Sequence, residues 1–207
     1  MSTGVVTAVA FERFNLGAGG QFGGPQQGQG MPPMQGGGMI GPLLSGMGMK
    51  PAMYSQASLP DPVKVPMGHV VAMETVGAGD ITYECRVKAN APGQFEWFFV
   101  GPDAKLMDRG GKQIGRYFGP PATWENNDGS KVTATQLAVA PASAGNIPLQ
   151  LVKANPATGN GAMTGVTFIQ RVATKGGVAP TTACDAASKG KKEIVKYQAD
   201  YIIYKAM

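Results

Sequence analysis

Tyr197-Gln198-Ala199-Asp200-Tyr201-Ile202-Ile203-Tyr204, close to the end of a 207-residue chain, decides the fold. In an extended chain, side chains two positions apart share a face. Tyr197, Ala199, Tyr201 and Ile203 thus line one side while Gln198, Asp200 and Tyr204 lie opposite, the pattern of a half-buried strand. Working back along the chain, strand-like runs recur at 166–174, 149–154, 131–139, 116–118, 95–100, 81–87 and 69–74. Between them stand Gly77-Ala78-Gly79-Asp80, Arg109-Gly110-Gly111, Asn126-Asn127-Asp128-Gly129 and Lys175-Gly176-Gly177, turn sequences tolerant of positive φ, and Asp103 after Pro102 suggests another turn. No window of ten residues has an amphipathic helical period, although 182–190 has room for one or two turns. Strands this close leave no space for crossover helices, so the expected fold is all-β: one antiparallel β-sandwich or barrel-like domain spanning 63–207.

The N-terminal part reads differently. Residues 15–49 hold thirteen glycines, four prolines and five methionines, and no charged residue. Such a stretch cannot build a core of its own and lacks the charge that keeps chains apart. Residues 15–62 are therefore assigned as a low-complexity arm and linker. Ahead of them, Val5, Thr7, Val9 and Phe11 alternate with Val6, Ala8 and Ala10, so that 1–14 reads as a docking β-strand ending near Phe14. Met31, Met34, Met39, Met47 and Met49 have side chains that adapt to irregular surfaces on a neighbouring subunit. A contact from the arm of one copy to the body of the next is heterologous, and such contacts propagate into filaments unless they close into a ring.

Charge excludes little and suggests little. The net charge is +5, and only Lys189, Lys191, Lys192 and Lys196 cluster, which reads as a solvated loop rather than a nucleic-acid surface. No stretch approaches the ~20 apolar residues of a membrane span. The first ten residues lack a basic region, and 5–11 is too short for the apolar core of a standard secretory signal, although Ala8-Val9-Ala10 mimics a cleavage site.

Catalytic signals are sparse. The single histidine, His69, sits in a strand-like run beside Val70 and Val71, and reads as structural. Neither Gly-x-Ser-x-Gly nor a phosphate-binding Gly-x-x-x-x-Gly-Lys-Ser/Thr occurs. Asp103, Asp108, Glu125 and Asp128 read as turn formers and ion-pair partners, with Glu125 set to meet Arg116 or Lys131. Of the aromatics, alternation puts Trp97 and Phe99 on one face and Phe98 on the other. Trp97, Arg116, Tyr117, Trp124, Glu125 and Asp128 form a candidate ligand or structural cluster, one that would suit a polysaccharide or cell-surface contact. No cofactor or metal site is indicated. Cys85 and Cys184 are either a disulfide, in an oxidising compartment, or two buried thiols in a reducing one.

A series of motifs follows in order: Tyr83-Glu84-Cys85, Gly101-Pro102-Asp103-Ala104-Lys105-Leu106, Gly119-Pro120, Trp124-Glu125 with Asp128-Gly129-Ser130-Lys131-Val132, Gln170-Arg171-Val172, Gly176-Gly177-Val178-Ala179-Pro180, Cys184-Asp185, and Tyr197 with Ala199-Asp200-Tyr201. Over about 65–205 the chain resembles the domain-of-unknown-function family numbered 3455, bacterial and fungal proteins that usually carry export signals. The resemblance implies an exported β-domain and pairing of the two cysteines, but no activity. Where the family pattern has a histidine before Gly-Pro, this chain has Arg116, and where the family shows a tryptophan and leucines after Ile147-Pro148, it has Leu149-Gln150-Leu151. The arm lies outside the family pattern. The expected function is an exported structural protein that self-assembles through its arm, extracellular or at the cell surface. The alternative is a secreted or periplasmic ligand-binding β-domain on a flexible tether, and an enzyme ranks third.

Overall fold

The computed structural model describes residues 54–207. The described part opens with a 3-10 turn, Asp61–Val63, and continues as eight strands: β1 His69–Lys88, β2 Ala91–Met107, β3 Gln113–Phe118, β4 Thr123–Asn126, β5 Lys131–Ala140, β6 Leu149–Ala154, β7 Val166–Gly176 and β8 Lys192–Ala206. Each strand pairs antiparallel with the next, and β8 returns to β1, closing the barrel. Only closure of this kind gives both sides of every strand a partner along the barrel wall.

Expected and observed strands agree at β3, β5, β6, β7 and β8 to within a few residues. The largest difference is at Gly77-Ala78-Gly79-Asp80, which forms no turn and lies in the middle of the 20-residue β1. The glycines serve close packing there. A Cβ on Gly77 would stand 2.5 Å from the Tyr201 ring, and one on Gly79 would stand 2.5 Å from the Ala104 Cα and collide with the Asp103 carbonyl oxygen. Asp103 likewise lies within β2, opposite Asp80, rather than in a turn. A bulge, with Thr82 opposite Gly101 and Tyr83 opposite Phe99, lets so long a ribbon bend. Thr123–Asn126 is a strand that the sequence reading missed; 182–190 contains bends and turns but no helix.

The pleat sends Ile81, Leu106, Trp124, Ile169, Tyr201 and Ile203 into the barrel. A second apolar cluster lies on the outer wall, where Ala140, Leu151, Val172, Ile202 and Tyr204 meet Val63 and Val65. For this reason β8 is not half-buried towards its end: Ile202 and Tyr204 are as enclosed as their inward neighbours. The cover is the segment 54–65, a strap across the outside of the barrel. Its polar groups are bound as well. Gln170 Nε2 donates to Gln56 Oε1 at 2.7 Å and to the Val63 carbonyl at 2.6 Å, Tyr204 Oη donates to Gln170 Oε1 at 2.8 Å, and Val65 N donates to Gln56 Oε1 at 2.6 Å. The strap begins where Tyr54 N donates to Glu74 Oε1 at 3.1 Å. Part of the segment assigned to the linker in the sequence, Tyr54 and Leu59 included, thus packs on the barrel.

Candidate functional site

The six residues of the candidate cluster fall on two sides of the barrel wall. Tyr117 lies opposite Trp124, and Arg116 opposite Glu125, in adjacent positions of β3 and β4. Because successive side chains alternate, the first pair points inward and the second outward. Inside, Tyr117 stacks on Trp124 at 4.5 Å between ring centroids, and both rings meet Tyr201. Burial pushes the Tyr117 and Tyr201 hydroxyls above the ordinary tyrosine range, and Tyr83 up to about 12. Trp97 is held apart from this group, its indole Nε1 donating to the Thr182 carbonyl at 2.9 Å.

Outside, Arg116 Nε meets Glu125 Oε2 at 3.0 Å, and the guanidinium lies over the Phe118 ring at 4.3 Å. These two residues, with Gln113, Gly115, Asn126, Asn127 and Gly129, line a shallow depression of about 280 Å³. Such a lining offers hydrogen bonds and one exposed ion pair. Asp128 is not in the lining. Its carboxylate accepts hydrogen bonds from Ser130 N at 2.8 Å, Ser130 Oγ at 2.5 Å and Ala162 N at 2.7 Å, tying the β4–β5 turn to the loop before β7.

These hydrogen bonds, the Ser130 hydroxyl first, hold the Asp128 carboxyl below its ordinary value of 3.8. A depressed folded pKa means stability that is present above the unfolded value and lost as pH falls through the folded one. Asp128→Asn should therefore melt below the wild type near neutral pH. The gap should narrow as pH falls below the ordinary aspartate value; a gap that stays constant with pH would remove the charge from the explanation.

The cysteines are bridged. Cys85 and Cys184 form a disulfide with a Cα–Cα distance of 5.5 Å, Cys85 facing the barrel interior from β1. It pins a lobe formed by the chain between β7 and β8. Gly190 N donates to the Cys85 carbonyl at 2.8 Å, Cys85 N donates to the Lys191 carbonyl at 2.9 Å, and Asp185 and Ser188 cap one another across a turn. A bridge of this kind suits an oxidising compartment. The lysines beside it are exposed and paired, Lys191 with Glu193 at 2.8 Å and Lys196 with Asp80 at 2.6 Å. His69 is structural in its contacts: Nδ1 lies 3.1 Å from the Pro66 carbonyl and the ring meets Phe168 edge to face.

The pattern of a protein family of unknown function, DUF3455, matches residues 66–205. The chain belongs to this family. The DUF3455 match takes in all eight strands but for the last residue of β8, together with both bridged cysteines. It also takes in Gln170, whose partners on the strap, Gln56 and Val63, lie outside it. No curated protein and no solved structure matches the chain significantly. No helix among the described residues is long and apolar enough to cross a membrane. The arm positions Val5, Val6, Val9, Phe11, Phe14, Met31, Met34, Met39, Met47 and Met49 lie outside the described residues. The sequence reading missed the strap contacts. Gln56 and Gln170 stand 114 positions apart, and no local pattern links them.

Proposed function

We propose that this member of DUF3455 is an exported structural subunit that assembles with copies of itself through its N-terminal arm, building an extracellular filament or surface layer. The observation that carries this reading is the strap: the chain enters the barrel at a defined place on its outer wall, Tyr54 beside Glu74, and the Gly- and Met-rich stretch 15–49 that precedes it in the sequence holds no charged residue. A closed barrel offers sheet edges only where strands outrun their neighbours. Strand β3 joins β2 only from Asp103 onward, and β7 joins β8 only from Tyr197 onward. The overhang of β8 carries Lys192 and Lys196, side chains that discourage edge pairing. In this reading, residues 91–98 of β2 accept the strand formed by 5–14 of the next copy, and the methionines of 31–49 pack along the way.

Electron microscopy and size-exclusion chromatography of the full chain and of a chain beginning at Tyr54 test the reading. The cut falls there because removing more would strip the strap from the outer cluster. The full chain should form polymers, and the shortened one should run as a folded monomer. Identical dispersed particles from both would sink the proposal. The depression beside Arg116 and Glu125 favours a second reading, a secreted or periplasmic domain binding a small molecule or polysaccharide. A saturable rise in melting temperature with such a ligand, in the absence of polymers, would select it.

A further inference from the structure

Arg171 is the only charged side chain buried among the described residues, 4% exposed. It lies opposite Gln150 of β6 and Tyr201 of β8, and cross-strand partners share a face, so it projects into the barrel with Tyr201. Its Nε and Nη2 both donate to one acceptor, the Pro148 carbonyl, at 3.1 and 3.0 Å. All twelve described Asp and Glu residues are at least partly exposed, and the ion pairs they form use other cations. A buried cation without a counter-charge is expensive: the desolvation penalty amounts to several kcal/mol per ion.

The surroundings lean the same way. Gln150 Nε2 is taken by Gln136 Oε1 at 2.5 Å. Trp124 is 1% exposed, and its Nε1 is a buried donor with no acceptor. The charge of Arg171 reaches the hydroxyls of Tyr83, Tyr117, Tyr197 and Tyr201, opposing the effect of burial on each. The interior thus holds a positive charge and one N–H without an acceptor, and no carboxylate is buried there to answer them, the exposed Asp103 making itself felt only at the Tyr197 hydroxyl.

We propose that the barrel interior binds a small anion, between chloride and acetate in size, against the Arg171 guanidinium, with the Trp124 indole N–H as a further donor. An anion supplies the missing charge, which an internal water cannot. The site is independent of arm-mediated assembly and of the depression on the outer wall.

Thermal unfolding is followed in chloride, bromide or acetate, with ionic strength held constant by a bulky sulfonate. The wild type should melt about 5 °C or more higher once the small anion exceeds its dissociation constant a hundredfold, and the rise should saturate. Arg171→Gln, which removes the charge, should lose this response while remaining at least as stable without the anion. An equal response in Arg171→Gln, or no difference between small and bulky anions in the wild type, overturns the proposal; the second result would mean that water fills the site. Should Arg171→Gln fail to fold, tryptophan fluorescence of the wild type decides. Bromide should quench a saturable component that Trp124→Phe abolishes, whereas quenching that is linear throughout overturns the site.

Discussion

Replacing both bridged cysteines, Cys85→Ala with Cys184→Ala, should lower the unfolding free energy by about 4–5 kcal/mol, read from chemical denaturation. The disulfide spans 99 positions, nearly half the chain. By the chain-entropy argument, a loop of that length restricts the unfolded state strongly, because its ends would otherwise rarely meet. The folded state adds a second contribution. Cys85 is fully enclosed, and the lobe that Cys184 anchors is otherwise held by hydrogen bonds such as that of Trp97 Nε1 to Thr182 and that of Gly190 to the Cys85 carbonyl. Reduction of the wild type under the same denaturant should reproduce most of the loss. A change below about 1 kcal/mol would show that the lobe holds without covalent help.

Gly79→Ala should cost about 3 kcal/mol or prevent folding, the upper range for overpacking. The added methyl would meet main chain rather than a movable side-chain tip, since Asp103 and Ala104 of β2 stand where it would go. Gly79 is paired on both sides, with Ala104 of β2 and Tyr197 of β8, so relief requires parting two ladders at once. Gly93→Ala is the comparison. Gly93 has nothing within 4 Å of an added Cβ and a φ of +87°, so only backbone strain opposes the change, about 1–2 kcal/mol. Calorimetry of the two variants ranks them, and equal destabilisation would mean that β1 bends away from β2 without difficulty.

Gly77 and Gly79 also mark the limit of what the sequence made legible. Alternation in 197–204 identified β8 and its inward face, and turn chemistry located the bend between β2 and β3 and the start of β5, because both depend on neighbours in the chain. Gly77-Ala78-Gly79-Asp80 has the composition of a turn, yet the glycines are required by Tyr201 and Ala104, which lie far along the chain. Closure into a barrel and the second apolar layer over Ile202 and Tyr204 depend on long-range contacts in the same way. At the candidate cluster, the Arg116–Glu125 ion pair and the Asp128 turn could be read from residue type. The split of that cluster between the two sides of the wall could not, because β4 is only four residues long and went unrecognised.

The strap has a mechanical consequence. Tension reaching Tyr54 from the N-terminal side loads Glu74 first, and Arg109 ties that carboxylate at 3.0 Å to Asp200, held at 2.7 Å. Further along, the pull passes through Gln56 and Val63 to Gln170. The load is thus spread over β1, β7 and β8 before it reaches the start of β1 at His69, and several hydrogen bonds must fail together in shear before that strand can be unzipped from its end.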